Sequence, residues 1–222
     1  MCACAGVIPR PAAELLLDAL RHGVTILVAG ETGSGKTTLT AALLQAIGEE
    51  RRVIVIEDAR ELPAVADSVA IEVLQSGMTF AQCVRLTLRQ RPDLVVLGEV
   101  RGAEALAMLQ AAATGHPGIA TIHAPDCDAA LRNLERMACE AGETPPAIVR
   151  GMIASSTVPI IVVHIGRYGG RRRVGQIVEV QVDSGGQSGG KYPANILWAF
   201  DPRADRLTRV GNIGRPWGRG RH

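Results

Sequence analysis

A glycine-rich stretch, Gly30-Glu-Thr-Gly-Ser-Gly-Lys-Thr37, has the spacing G-x-x-x-x-G-K-T of a phosphate-binding loop. Its glycines let backbone N–H groups turn inward around an anion, and a helix that begins directly after them adds partial positive charge. Only Lys36 and Lys191 of the 24 basic residues are lysines, so a lysine here indicates chemistry that a planar guanidinium does not perform. We expect Lys36 to contact the β- and γ-phosphates of a nucleotide and Thr37 to give its hydroxyl to Mg²⁺.

Acidic side chains follow two apolar runs that have the length of buried strands. Glu57 and Asp58 come directly after residues 53–56, and Glu99 follows residues 94–97 and a glycine. Either group alone is equally consistent with a helix cap. Because both sites arrive beside a phosphate loop, they favour a hydrolytic site with two carboxylates that hold the metal shell or orient the attacking water.

A histidine, His123, stands at the end of a third short apolar run, residues 119–122. Polar groups at the carboxyl ends of parallel strands point into the crevice where open α/β sheets bind ligands. A lone histidine is more often a capping or core residue. In a sheet of this kind, however, the strand after that of Glu99 commonly lies beside the phosphate-loop strand. We therefore predict that His123 ends next to the γ-phosphate.

The elements that must position these groups alternate along the first two thirds of the chain. Predicted helices cover residues 11–21, the stretch from the loop to about 47, 79–90, 103–114 and 126–140, and predicted strands cover 24–29, 53–56, 94–97 and 119–122. Short apolar strands separated by helices predict an α/β fold with a mostly parallel sheet and helices on both faces. Residues 69–73 are predicted as an additional antiparallel strand.

The pattern changes after Pro145 and becomes rich in strand signals. Residues 160–164 and 174–182 are predicted strands joined by a basic turn at 167–173, which forms a small β-rich C-terminal appendage. The Gly/Ser-rich stretch 184–190 and the arginine- and glycine-rich last twenty residues are predicted to be loose.

The composition, 47% hydrophobic and 21% charged residues, is that of an ordinary globular protein. No apolar run of about 18 residues and no basic-then-apolar N-terminal segment occurs, so we predict neither a membrane span nor a secretion signal. The odd number of cysteines, five, favours reduced thiols in a cytoplasmic protein. Cys2-Ala-Cys4 has no matching pair for a metal site.

Four ordered motifs give the chain a specific family resemblance over about residues 11–182. They are GETGSGKTT (30–38), VIVIEDARELP (53–63), RPDLVVLGEVRGAEAL (91–106) and TGHPGIATIHA (114–124). The chain resembles the ATPase domain of the type II/type IV secretion superfamily, and the wording of the last two motifs is closest to conjugative-transfer ATPases of the TrbB type.

This resemblance implies a RecA-like P-loop NTPase that binds ATP and Mg²⁺. The implied nucleotide-binding residues are Gly30, Glu31, Thr32, Gly33, Ser34, Gly35, Lys36, Thr37 and Thr38. The implied metal site comprises Thr37, Glu57 and Asp58. Glu99 is the implied catalytic carboxylate, with Glu57, His123 and Arg101 as further catalytic groups.

The resemblance also implies a homo-oligomer, a hexameric ring that works with inner-membrane secretion proteins from the cytoplasm, peripheral to the membrane. We expect residues 1–23 to be a helix and linker remnant, 24–183 the ATPase domain and 184–222 a flexible loop with a basic tail. Family members usually carry a separate N-terminal domain. Since only about thirty residues precede Gly30, we expect that domain to be absent, so that the chain is a shortened family member, a fragment, or half of a split system in which a partner supplies the domain.

Two other interpretations remain open. One is a nucleic-acid motor of the same fold, favoured by the basic run Arg171–Arg173 but opposed by an aromatic content of 3%, which leaves few stacking platforms. The other is a nucleotide-binding subunit without turnover.

Arg85 and Arg89, one helical turn apart, either reach a neighbouring subunit's phosphates or form a solvated helix face.

Overall fold

The computed structural model describes residues 6–48, 50–142, 144–155, 159–182, 191–214 and 217. Within them nine strands form one sheet in the order β3-β2-β4-β5-β1-β6-β7-β8-β9. The strands are β1 (Thr25–Gly30), β2 (Val53–Glu57), β3 (Ser68–Glu72), β4 (Leu94–Val100), β5 (Gly118–Ile122), β6 (Ile160–Tyr168), β7 (Arg171–Val180), β8 (Ala194–Asp201) and β9 (Arg206–Arg209). The helices are α1 (Arg10–Arg21), α2 (Lys36–Ile47), α3 (Val73–Ser76), α4 (Phe80–Thr87), α5 (Glu104–Ala113), α6 (Cys127–Glu140) and α7 (Pro146–Ile153), with a 3-10 turn at Leu88–Gln90.

Strands β1 to β6 run parallel, and β5 lies between β4 and β1. All residues of β1, β2 and β5 are buried, as expected for parallel strands that helices cover on both faces. The position of β5 confirms that the strand leading to His123 is the neighbour of the phosphate-loop strand. Its carboxyl end therefore meets those of β1 and β4 at one edge of the sheet.

Helices cover both faces of this parallel sheet. One apolar cluster joins the sheet to α1 and α2 through residues such as Leu16 and Leu44. A second cluster joins the opposite face to α4–α7 through residues such as Val84, Leu109 and Leu134. The α/β prediction, with helices on both faces, is thus confirmed. None of the helices in the described ranges is long and apolar enough to cross a membrane.

The prediction of an antiparallel strand at 69–73 is wrong, because β3 pairs with β2 in parallel. The ten residues between these strands return the chain to the start of β2, where the Val53 N–H donates to the Asp67 carbonyl at 2.9 Å. The chain therefore enters β3 in the same direction as β2. Helix α7, which follows Pro145, was not predicted.

The predicted basic turn at 167–173 is also wrong. Arg167 lies in β6 and Arg171–Arg173 lie in β7, which is antiparallel to it. Only Gly169 and Gly170 form the connection, with φ of +57° and +75°. Two consecutive positive φ angles are typical of the tight type I′ hairpin turn, which glycine adopts without a Cβ penalty.

Residues 194–209 lie within 184–222, the segment predicted to be a flexible loop and basic tail, but they form β8 and β9 and extend the same sheet. Leu197, Trp198 and Leu207 are buried against the α1 face, and burying each such side chain is worth about 1.5–3 kcal/mol. This apolar anchoring outweighs the surrounding glycines and arginines. The predicted loop 184–190, and the tail residues 215, 216 and 218–222, lie outside the described residues, as do Cys2 and Cys4.

Candidate functional site

The phosphate loop connects β1 to α2 at the edge where the parallel strands end. Gly33 and Gly35 have φ of +69° and +109°, which side chains with a Cβ rarely adopt. Position 30 requires a glycine for a different reason, because a Cβ there would lie 2.4 Å from the Ile165 carbonyl oxygen. Helix α2 begins at Lys36 with no side-chain cap, so its first N–H groups remain available to an anion.

Lys36 curls back into the loop that precedes it. Its Nζ donates to the carbonyl oxygens of Gly30 at 2.8 Å and Glu31 at 3.0 Å. Burial lowers the pKa of this ammonium, and the nearby Glu99 carboxylate partly opposes that shift. Two carbonyl groups therefore hold a partly desolvated positive charge against the loop, where a phosphate would supply its counter-charge.

Glu57 ends β2 and is buried at the wall of the same cleft, with 5% of its surface exposed. Its carboxylate accepts the backbone N–H groups of Glu61 and Leu62 at distances of 3.2–3.4 Å. Burial raises the pKa of this carboxyl, and the two N–H groups moderate the shift. The carboxylate is therefore oriented by the loop that follows β2 and forms no salt bridge among the described residues, although the charge of Arg60 also lowers its pKa slightly.

Arg101 joins the other two predicted carboxylates. Its guanidinium donates to Asp58 through Nη1 at 2.9 Å and to Glu99 through Nε at 2.9 Å. The hydrogen bond to Glu99 raises the pKa of Arg101. The backbone of this loop is fixed by a residue that sequence reasoning missed: the buried carboxylate of Glu104 accepts the N–H of Gly102 at 2.8 Å. An acid in the first turn of a helix was the available signal.

His123 follows β5 directly and its ring is exposed at the cleft. Its backbone is held by Asn133 of α6, whose Nδ2 donates to the His123 carbonyl at 3.1 Å. Just before it, Thr121 donates to the Gly98 carbonyl at 2.5 Å and so ties β5 to the strand of Glu99. The missed residue Thr40 lines the cleft with a buried hydroxyl that has no hydrogen-bond partner among the described residues.

A cleft of about 640 Å³ brings most of the predicted site residues together. They are Thr32, Gly33, Lys36, Thr37, Glu57, Asp58, Glu99, Arg101 and His123. Glu31 and Ser34 face a second cleft on the other side of the loop, and Thr38 is exposed on α2. Gly30 and Gly35 shape the loop without lining the first cleft. Arg85 and Arg89 are exposed on and just after α4, outside both clefts.

These groups have the chemistry that a magnesium nucleotide requires. The uncapped start of α2 and the Lys36 ammonium can bind phosphate oxygens. The hydroxyl of Thr37 and the carboxylates of Glu57 and Asp58 are hard oxygen ligands, which Mg²⁺ prefers. The residues present therefore fit both a nucleotide phosphate chain and a magnesium ion.

Comparisons with known proteins show which family this chain resembles. The family model for type II/IV secretion system proteins matches residues 5–181. A probable conjugal transfer protein TrbB of Sinorhizobium fredii is 36% identical over 180 residues, which are 79% of this chain and 54% of that protein. A putative conjugal transfer protein of Mycobacterium tuberculosis is 36% identical over 208 residues, 90% of this chain and 57% of that protein.

Among solved structures, the VirB11 ATPase of the Brucella suis type IV secretion system superposes with a TM-score of 0.68 at 33% identity. That match covers 75% of this chain and 51% of the other. The chain thus spans about half the length of the relatives that it matches. The phosphate loop, the carboxylates at the ends of β2 and β4 and the family match lead to one conclusion: this chain belongs to the type II/IV secretion system protein family.

Proposed function

We propose that this chain hydrolyses ATP to drive assembly of, or transfer through, a type IV secretion or conjugation apparatus. The observation that carries the proposal is the convergence of Lys36, Glu99 and His123 on one cleft beside the uncapped start of α2. The conjugal transfer proteins that the chain is similar to support the proposed client machine. ATP and Mg²⁺ are the substrate and cofactor that this arrangement would take.

Binding and orientation fall to the loop and the helix that follows it. Backbone N–H groups from Gly33 to Thr38 would bind the phosphates, and Lys36 would leave its carbonyl partners for the β- and γ-phosphate oxygens. Thr37 would hold Mg²⁺, with Glu57 and Asp58 contributing to its shell. The metal, when bound, would neutralise phosphate charge and so favour attack on the γ-phosphorus.

Chemistry would fall to the carboxylate of Glu99 and the ring of His123. Glu99 would orient the attacking water or accept its proton, a contribution of about 10²–10⁴ in rate for a positioned base. His123 would sense the γ-phosphate from the end of the neighbouring strand. Arg101 would fix the orientation of the Glu99 and Asp58 carboxylates, because its guanidinium donates hydrogen bonds to both.

The working assembly would be a homo-oligomeric ring, a hexamer, at the inner face of the cytoplasmic membrane, attached through membrane partners. A separate N-terminal domain would come from a partner or from a further part of the protein. ATP and ADP would then bind two subunit arrangements with different affinity, and this difference is what allows hydrolysis to do work.

The test is ATP turnover and nucleotide binding measured on the same preparations of wild type, E99Q and K36A. We expect E99Q to bind Mg-ATP with an affinity near that of wild type while turnover falls at least a hundredfold. We expect K36A to lose both. Wild-type turnover in E99Q would exclude Glu99 from the chemistry.

A further inference from the structure

A second cleft, of about 400 Å³, lies on the opposite side of the phosphate loop from Glu57 and Glu99. Its walls are the first half of the loop and the hairpin formed by β6 and β7. Thr32 and Gly33 line both clefts. A group on the hairpin can therefore approach the loop from the side that carries none of the predicted catalytic side chains.

Two arginines face each other in this cleft. Arg167 of β6 and Arg172 of β7 are directly paired in the antiparallel register, so their side chains stand on the same face of the sheet. Like charges in that position destabilise a strand pair. Neither guanidinium forms an ion pair within the described part of the chain, and Glu31, the only carboxylate in the cleft lining, does not pair with either. An anion between them would relieve this repulsion.

Arg172 reaches the phosphate loop itself. A Cβ placed on Gly33 would lie 3.9 Å from Nη2 of Arg172, so the guanidinium stands over the loop at that glycine. None of the charged side chains that line the first cleft also lines the second. The phosphate loop is thus faced by Lys36 from within and by an arginine from outside.

The hairpin holds Arg172 in this orientation. Its strands are joined by the two-residue turn Gly169–Gly170, so no additional loop residues separate them. The next residue, Arg173, is buried on the other face and donates to both carboxylate oxygens of Asp205, at 2.8 and 3.0 Å. Because side chains alternate along a strand, anchoring Arg173 on one face directs Arg172 to the other.

We propose that Arg172 is a phosphate-binding arginine supplied in cis, which contacts the phosphate chain of the bound nucleotide from the second cleft, with Arg167 adding positive charge. A guanidinium fork matches phosphate oxygens and carries a permanent charge. The ligand class is a nucleoside di- or triphosphate, so this inference rests on the proposed function. Nucleotide binding would also relieve the repulsion between Arg167 and Arg172. The β6–β7 hairpin would therefore be more stable when the phosphate loop binds a nucleotide.

The experiment compares R172Q with R171Q by isothermal titration calorimetry using Mg-ADP and a magnesium complex of a non-hydrolysable ATP analogue. Arg171 is the matched control, because it is exposed, adjacent and equally charged but stands on the other face of β7. We expect R172Q to weaken binding of at least one nucleotide about tenfold, as for loss of one charge-assisted hydrogen bond, and R171Q to stay within about twofold of wild type. R172K should fall between them, since it keeps the charge and loses the fork.

A thermal-shift measurement gives an independent readout. Without nucleotide, R172Q should be at least as stable as wild type, because the mutation removes the repulsion from Arg167. The rise in melting temperature that Mg-ADP produces should be smaller in R172Q than in R171Q.

Equal nucleotide affinities in R172Q, R171Q and wild type would overturn the inference while leaving the proposed function intact. A DNA oligonucleotide provides the rival arm: if both variants weaken its binding alike and neither changes nucleotide binding, the arginines form a polyanion surface and the inference is wrong. If wild type binds neither nucleotide while remaining folded, the proposed function fails together with it.

Discussion

At the scale of single residues, the site depends on two groups whose pKa values are shifted by burial. Burial lowers the pKa of the Lys36 ammonium and raises the pKa of the Glu57 carboxyl, and the nearby opposite charges of Glu99 and Arg60 offset these shifts only in part. Both shifts have the sign of a charge that lacks its counter-ion. Phosphate would supply that counter-ion to Lys36, and a divalent cation would supply it to Glu57.

The raised pKa of Glu57 predicts a pH-dependent effect of E57Q on stability. Below its ordinary value of 4.5 the carboxyl is protonated in the folded and unfolded states, so wild type and variant should be equally stable. As the pH rises from that value to the higher folded-state pKa, the free energy of unfolding of wild type decreases, because only wild type must bury an ionised carboxylate. E57Q should therefore have the higher melting temperature at pH 7, measured without metal or nucleotide.

The matched control for that experiment is E61Q, at an exposed acid on the same loop. We expect it to follow wild type at low pH and to raise the melting temperature at pH 7 far less than E57Q does, because the Glu61 charge is only a minor cause of the raised pKa of Glu57. A melting temperature of E57Q below that of wild type at pH 7 would show that the ionised carboxylate stabilises the fold, contrary to the shift.

His123 yields a second prediction at this scale. H123A should lower ATP turnover about 100-fold, the lower end of the range for a positioned acid or base, while nucleotide affinity changes by less than about threefold. H116A is the control, since His116 lies at the other end of β5 in contact with the Thr114 hydroxyl at 3.2 Å. Equal turnover in H123A and wild type would remove His123 from the mechanism.

At the scale of elements, the phosphate loop is fixed by close approach as well as by conformation. In G30A the new Cβ would lie 2.4 Å from the Ile165 carbonyl oxygen and 2.5 Å from the Ser34 hydroxyl oxygen, far inside van der Waals contact. Backbone cannot yield cheaply, so we expect a loss of about 1–3 kcal/mol in the free energy of unfolding, measured in urea, and weaker nucleotide binding.

The control, G151A, lies at an exposed site of α7 where a Cβ has open space. Alanine is the better helix former by about 0.5–1 kcal/mol, so this variant should be more stable than wild type. If G30A unfolded at the same urea concentration as wild type, the loop would have to be far more adaptable than its packing against β6 implies.

The same elements show what the sequence could and could not predict. The parallel strands were predictable because uninterrupted apolar runs such as residues 53–56 have few alternatives to a doubly covered sheet. The direction of β3 was not, since it depends on where residues 58–67 lead the chain. The pair Gly169–Gly170 is typical of a two-residue hairpin turn and could have predicted this one. The arginines on either side favoured instead the longer basic turn predicted at 167–173.

For the site, residue types and spacing predicted which side chains meet, because carboxyl ends of parallel strands share one edge. They did not predict the partners that orient those side chains. That Arg101 joins Asp58 to Glu99, and that Glu57 accepts N–H groups from its own loop, depends on loop conformations that no periodicity encodes. Arg172 was missed for a related reason: its approach to Gly33 depends on the pairing of β6 with both β1 and β7.

At the scale of the whole molecule, we propose that ATP hydrolysis requires more than one copy of the chain. We predict that Mg-nucleotide shifts the mass in light scattering from that of one 23.4 kDa chain towards about six times that value as protein concentration rises. ATP turnover per chain should rise over the same range, because neighbouring subunits would complete each site. Constant turnover by a species that stays monomeric would exclude the ring as the active form.

The most direct test of the proposed ATPase activity is steady-state ATP hydrolysis by wild type and E99Q over a range of protein concentrations, with nucleotide binding measured on both. We expect magnesium-dependent turnover in wild type that is lost in E99Q, while E99Q still binds ATP. Turnover that persists in E99Q would exclude Glu99 as the catalytic carboxylate, and tight ATP binding by wild type with no turnover at any concentration would show that this chain does not hydrolyse ATP.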